Sequence, residues 1–305
     1  MLSDLTQPID QAPPQSGPAL FLDFARRGRP WGWWYPLVIL VGLLLSILLG
    51  AAGLLAGLAA TGNFNPDFLK AMQDPRHTGP FFTLVTATFG AMLLSFWGAA
   101  RLIQGKRFSD IVGRWRWTLV AKGFGVWFVV VTLNVLADVL LRPKGFAVSP
   151  DVRAPAFVLW VAPALALQTF TEEFIFRGVI TQGLVRAFKR PWVVCLLSGL
   201  IFGAAHIPNG SIQAVSATIL GVVLAFLALE TGGLALGWGL HLVNNLFAGI
   251  VVVSSSDVFK GAHALFYQNT PGLDGFDLAF SVVAPLAAAW FLLRRSAKTP
   301  DILAP

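Results

Sequence analysis

Eight apolar runs of about twenty residues, separated by short polar or charged segments, constrain this chain more than any other feature. A helix needs about 20 such residues to cross the hydrocarbon core of a bilayer. Lipid offers no hydrogen bonds, so a spanning segment must pair its own backbone groups, as a helix does. No strand-like alternation of apolar and polar residues and no internal repeat is evident. The runs therefore predict spanning helices near Tyr35–Ala60, Pro80–Ala100, Leu119–Leu141, Pro155–Ile175 (with an extension to Phe188), Trp192–Ile207, Ile212–Leu229, Leu234–Val253 and Leu278–Leu293. The fifth and eighth are short enough to be tilted, buried in the bundle or partly re-entrant.

Composition agrees. Charged residues make up 12% of the 305 and apolar ones 56%, whereas a soluble domain carries about 25% charged residues. The expected fold class is an all-α polytopic membrane bundle of about eight transmembrane helices. Residues 1–30 are polar, Pro-rich and then basic, unlike a secretory signal, and are expected to form a disordered tail. Residues 31–298 then form the helical domain and 299–305 a short tail. Thr61–Gly79 reads as a polar loop, Arg101–Arg116 as a basic one and Ser254–Asp277 as a longer one. Lys189–Pro191, Pro208–Gly210 and Thr231–Gly233 are tight turns, which imply antiparallel helical hairpins.

The net charge of +7 does not point to nucleic acid, because no basic stripe with interleaved aromatics occurs. The basic residues sit in clusters between apolar runs, where they encode membrane orientation. With the amino terminus inside, the inner segments hold Arg26, Arg27, Arg29, the cluster Arg101 to Arg116, the group Arg177 to Arg190, and Arg294, Arg295 and Lys298. The outer loops hold Lys70, Arg76, Arg142, Lys144, Arg153 and Lys260. Both termini are therefore expected inside. Trp31, Trp33, Trp34, Trp115 and Trp117 stand where interfacial anchors should. A single cysteine, Cys195, excludes an intrachain disulfide and a CxxC centre.

Ionisable residues inside spans are costly and mark function. They occur here in Thr171-Glu172-Glu173-Phe174-Ile175-Phe176-Arg177, in Phe202-Gly203-Ala204-Ala205-His206, in His241-Leu242-Val243-Asn244-Asn245, and as the isolated acids Asp138 and Glu230. Glu173 and Arg177 lie four apart on one helical face and can neutralise each other. Glu172 points about 100° away, which leaves it free for chemistry. His241 and Asn245 are also four apart. Taken singly, each histidine reads as a packing residue. Depth argues for convergence. If the fourth and fifth helices turn near Arg190, Glu172 and His206 lie roughly 27 and 24 Å from that turn. From a turn near Gly232, His241 and Asn245 lie roughly 14 and 20 Å deep.

A buried carboxylate can take a proton from water, and imidazole and amide groups can stabilise an oxyanion. The set suits hydrolysis of an amide. Glu172, His206 and His241 would equally make a zinc set with an open fourth position, although no HExxH pattern is present.

The ordered words Glu-Glu-x-x-x-Arg, Phe-x-x-x-His and His-x-x-x-Asn, all on apolar helices, resemble the CPBP intramembrane protease family. That family includes the CAAX prenyl endopeptidases and bacterial bacteriocin-processing (Abi) proteins. The likeness spans roughly Ala154 to Val253. It implies eight helices around a cavity. It also implies Glu172 as general base, His206 orienting the water, His241 and Asn245 as oxyanion hole, and Glu173 and Arg177 in support. Family members are called metalloproteases, so a divalent metal such as zinc stays open beside metal-free catalysis. The implied substrate is a membrane-embedded or lipidated protein, and the implied location a bacterial inner membrane. Positive-inside counting places the Lys189–Pro191 turn inside, hence Glu172 and His206 nearer the outer face, whereas the prenyl proteases act on cytosolic substrates. Two other readings fit a buried Glu/His cluster: a transporter relaying protons, and a non-catalytic immunity or scaffold member of the same fold.

Overall fold

The computed structural model describes residues 16–29, 34–143, 154–254, 258–269 and 275–296. The expectations placed on Trp31, Trp33, Lys144, Arg153, Lys298 and the stretches 1–15 and 299–305 fall outside them. The helices are α1 (Gly17–Arg26), α2 (Trp34–Thr61), α3 (Pro66–Ala71), α4 (Thr78–Ala99), α5 (Phe108–Val112), α6 (Trp117–Leu141), α7 (Ala154–Glu173), α8 (Gln182–Ala187), α9 (Pro191–Ala205), α10 (Ser211–Thr231), α11 (Ala235–Leu246) and α12 (Gly275–Ser296). Wider π-helical turns continue α4 over Ala100–Gln104, α7 over Phe174–Thr181 and α11 over Phe247–Val251.

Eight apolar helical segments thus stand where eight spans were expected, and the architecture is an all-α polytopic membrane bundle. Four stretches are long and apolar enough to cross a bilayer by themselves: Trp34–Thr61, Thr78–Gln104, Trp117–Leu141 and Ser211–Thr231. Helix α2 presents Leu40, Leu44, Ile47, Leu48 and Leu55 outward. An outer face made of leucine and isoleucine suits lipid, because hydrocarbon rather than water surrounds it. The fifth expected span is short, as anticipated: α9 has 15 residues.

Two glycine contacts set the interior spacing. Lipid-embedded helices associate through close packing of small residues, since no hydrophobic force drives one apolar helix onto another in lipid. A Cβ on Gly203 of α9 would lie 1.8 Å from Thr218 Oγ1 of α10. A Cβ on Gly239 of α11 would lie 2.2 Å from the Val120 carbonyl oxygen of α6. Any larger residue would push apart the helix pairs that carry the histidines.

Four segments differ from the expectations. The tail expected to be disordered contains α1, whose Phe21 and Ala25 are buried in the core. Its ten residues are too few for a span and marginal as an isolated helix. Distant partners hold it. Lys106 donates from Nζ to the Phe24 carbonyl at 2.7 Å and to Gln182 Oε1 at 2.6 Å. Tyr35 donates its hydroxyl to the Ala25 carbonyl at 2.8 Å, and Arg27 pairs with Asp110 at 3.1 Å. The short helices α3 and α5 interrupt the expected loops. The loop after α11 forms a parallel pair, β1 (Val252–Ser254) beside β2 (Phe266–Gln268), with Val252 opposite Phe266. Three-residue strands are too short to show alternation in a sequence. The isolated acid Asp138 belongs to this region: it pairs with Arg142 and accepts from Gln268 of β2.

Burial lowers the Lys106 ammonium from its usual 10.5 to about 7, against the opposing pull of Asp110 and with help from the positive charges of Arg186 and Arg27. The folded protein therefore binds fewer protons here than the unfolded chain between about pH 7 and 10.5, so stability rises with pH across that window. Thermal unfolding at pH 7 and pH 9.5 should show a higher midpoint at the upper pH. Lys106→Met should flatten that difference.

Candidate active site

Helix α7 ends on the adjacent acids Glu172 and Glu173. The chain then passes into the π-helical stretch Phe174–Thr181, where Thr181 donates its hydroxyl to the Phe176 carbonyl at 2.8 Å. Such wide turns are costly and concentrate at functional sites. The Glu173–Arg177 pair forms across this boundary. Arg177 donates from a terminal nitrogen to Glu173 Oε1 at 2.9 Å, and neither side chain has any exposed surface. The same guanidinium approaches the Gly221 carbonyl of α10 at 3.4 Å.

The expected pairing is thus present, with one addition. His241 of α11 donates from Nδ1 to the same Glu173 Oε1 at 2.8 Å. Its Nε2 then faces Glu172 Oε2 at 3.4 Å. Glu172 is therefore less free than its position on the helical repeat implied. Gln168, one turn earlier on α7, donates to its Oε1 at 3.2 Å. Oε2 of Glu172, Oε2 of Glu173 and Nε of Arg177 are buried without hydrogen-bond partners. With Nδ1–H committed to Glu173, Nε2 is the ring nitrogen turned toward Glu172.

His206 follows the last residue of α9. Its Nδ1 lies 2.8 Å from the Phe202 carbonyl, which can only accept, so Nδ1 carries a proton and donates it there. The Phe202 ring sits at the middle of the cluster. It lies tilted against His206 with centroids 4.5 Å apart, meets His241 edge-on at 5.8 Å, and lies 4.3 Å beneath the Arg177 guanidinium. This aromatic contact gives the Phe-x-x-x-His word a physical meaning: the phenylalanine seats both histidines.

Glu172, His206, His241 and Asn245 line one cavity of about 500 Å³. Glu173 and Arg177 lie behind it, and Glu230 and Asp138 do not line it. Much of the remaining wall is apolar, with Phe81, Val85, Phe89 and Met92 of α4 on one side and Phe280 and Pro285 of α12 on another, while Asn209, Gln213, Ser216 and Ser281 add polar groups. Several lining residues were given no role by sequence reasoning, among them Gln168, Asn244 and Trp127. Gln168 was detectable as an amide four residues before Glu172. Asn244 was visible beside Asn245. Trp127 carried no signal, because its partner lies more than a hundred residues away. Among the described residues no three His, Cys, Asp or Glu side chains are gathered so as to hold a metal ion. Glu172, His206 and His241 line the same cavity without being gathered into such a set in this structure.

Residues 154–247 match the family described as type II CAAX prenyl endopeptidase Rce1-like, so the resemblance seen in the motifs holds over the segment that carries this site. The whole chain is similar to the uncharacterized protein YyaK of Bacillus subtilis (strain 168), 24% identical over 285 residues, covering 88% of this chain and 94% of that one. No solved structure matches. The matching family supports a membrane protease. It adds no support for a metalloprotease or Abi assignment.

Removing one partner from a buried ion pair leaves a charge uncompensated, at a cost of about 3–5 kcal/mol. Arg177→Met should therefore lower the thermal midpoint markedly in a detergent-solubilised melt. Arg177→Lys should recover only part of it, since an ammonium cannot span Glu173 and the Gly221 carbonyl as the planar guanidinium does.

Proposed function

We propose that this chain is an intramembrane endopeptidase that hydrolyses a peptide bond of a membrane-associated or lipid-modified protein. The observation that carries the reading is the convergence of Glu172, His206, His241 and Asn245, from three helices, on one largely apolar cavity. The match over residues 154–247 to CAAX prenyl endopeptidases supports the same reaction class. A multi-pass location in a bacterial inner membrane accords with the apolar helices and the Bacillus relative.

In this reading a water sits between Glu172 and Nε2 of His206. Glu172 takes a proton from the water as the water oxygen attacks the scissile carbonyl. The negative charge that develops on the carbonyl oxygen is met by the Asn245 amide and the His241 N–H. Collapse of the tetrahedral intermediate breaks the C–N bond, and the proton held by Glu172 passes to the departing amine. General base catalysis of this kind is worth about 10²–10⁴ in rate. Donors aimed at the oxyanion contribute on a similar scale.

Comparison of membrane-protein fragments in cells with and without the protein tests the activity and identifies substrates. Glu172→Gln should abolish the difference while the protein still inserts at wild-type level. Fragments that persist with this variant would remove Glu172 from the role of base. The metal question has its own test. Because no three-residue ligand set is gathered, cleavage by purified protein should survive dialysis against a strong chelator. Loss of cleavage that zinc alone restores would require the site to rearrange around an ion.

A further inference from the structure

Asn245 could present either end of its amide to the cavity, and only the nitrogen can stabilise negative charge. Two neighbours decide which. Trp127 is a buried residue of α6, and an indole N–H can only donate. It donates to Asn244 Oδ1 at 3.3 Å. With its oxygen engaged, Asn244 meets its neighbour through nitrogen, and its Nδ2 donates to Asn245 Oδ1 at 3.3 Å. The oxygen of Asn245 is thereby the accepting end. Both hydrogens on its Nδ2 remain to be donated elsewhere.

We infer that Trp127 and Asn244 are positioning residues that set the polarity of the Asn245 amide, so that Nδ2 is the end available to an oxyanion in the cavity. The relay starts from a group with no alternative role, which is why it has a direction. A tyrosine or serine in place of Trp127 could donate or accept and would leave the order of the two amides undetermined. The packing of α6 on α11 holds the relay in register. A Cβ on Gly123 of α6 would meet the Leu236 carbonyl oxygen at 2.2 Å, and the matching contact from α11 is that of Gly239 on Val120. Trp127 and Asn244 lie about one turn further along these two helices. The polarity follows from the hydrogen bonds alone, while its use for an oxyanion rests on the peptidase reading.

The test uses full-length protein, a farnesylated CAAX peptide with an internally quenched fluorophore as probe, and ¹⁵N-indole labelling. Trp127→Phe keeps most of the ring and removes the N–H. It should lower kcat about tenfold, the scale of one neutral hydrogen bond, with KM within about twofold. Asn244→Leu should do the same or more. In an Asn245→Ala background, Trp127→Phe should cost nothing further, because a residue that acts only through Asn245 has nothing left to position. An unchanged kcat for Trp127→Phe, or an equal loss in both backgrounds, overturns the proposal. The indole resonance missing from Trp127→Phe identifies Trp127, and it should move upfield in Asn244→Leu. If it does not move, the relay is wrong whatever the kinetics. Should wild-type protein leave the probe uncut, the peptidase reading fails for that substrate class, and the indole shift still decides the relay.

Discussion

Oε1 of Glu173 accepts from both Arg177 and His241 in a part of the bundle with no exposed surface. Three helical segments meet at that one atom: the end of α7, the π-helical stretch after it, and α11. Through Arg177 the junction extends to the backbone of α10. A carboxylate in such a place is tolerated only when paired and hydrogen-bonded. The pairing fixes the imidazole ring and its tautomer, and the fixed ring in turn addresses Glu172. Glu172 is thus faced by a ring that Glu173 holds in place from outside the cavity.

The junction needs its helices at the right separation, and glycine provides it. Between α9 and α10 the constraint falls on Gly203, three residues before His206. Between α6 and α11 it falls on Gly239, two residues before His241. The residues that permit closest approach are therefore next to the ones that converge. Phe202 fills the remaining space with an aromatic surface touched by both histidines and by Arg177.

The apolar runs made the helical segments legible, although by length and hydropathy alone only four of the described helices suffice to cross a membrane. The Glu173–Arg177 pair was legible because four-residue spacing is a local rule. Contacts that depend on tertiary placement were not. The hold of His241 on Glu173 joins residues 68 apart, and that of Trp127 on Asn244 joins residues 117 apart. Helix α1 was hidden because its stability comes from Lys106, Tyr35 and Asp110 rather than from its own ten residues. The view of Glu172 as a free acid failed on the same ground. Helical geometry showed that it turns away from Arg177, but not that Gln168 and His241 would be waiting on the other side.

Helix α9 has 15 residues, about 22 Å at the rise of an α-helix, against about 30 Å of hydrocarbon. A helix this short meets the bilayer by thinning it or by drawing polar flanks inward. Its carboxyl end is His206, followed by the Ile207–Gly210 turn with its exposed backbone. Were α9 to cross the bilayer, headgroups and solvent would be drawn toward the level of the histidine at this side of the bundle. Under the proposed peptidase reading each bond cut consumes one water, and a short α9 that crosses the membrane would shorten that water's route.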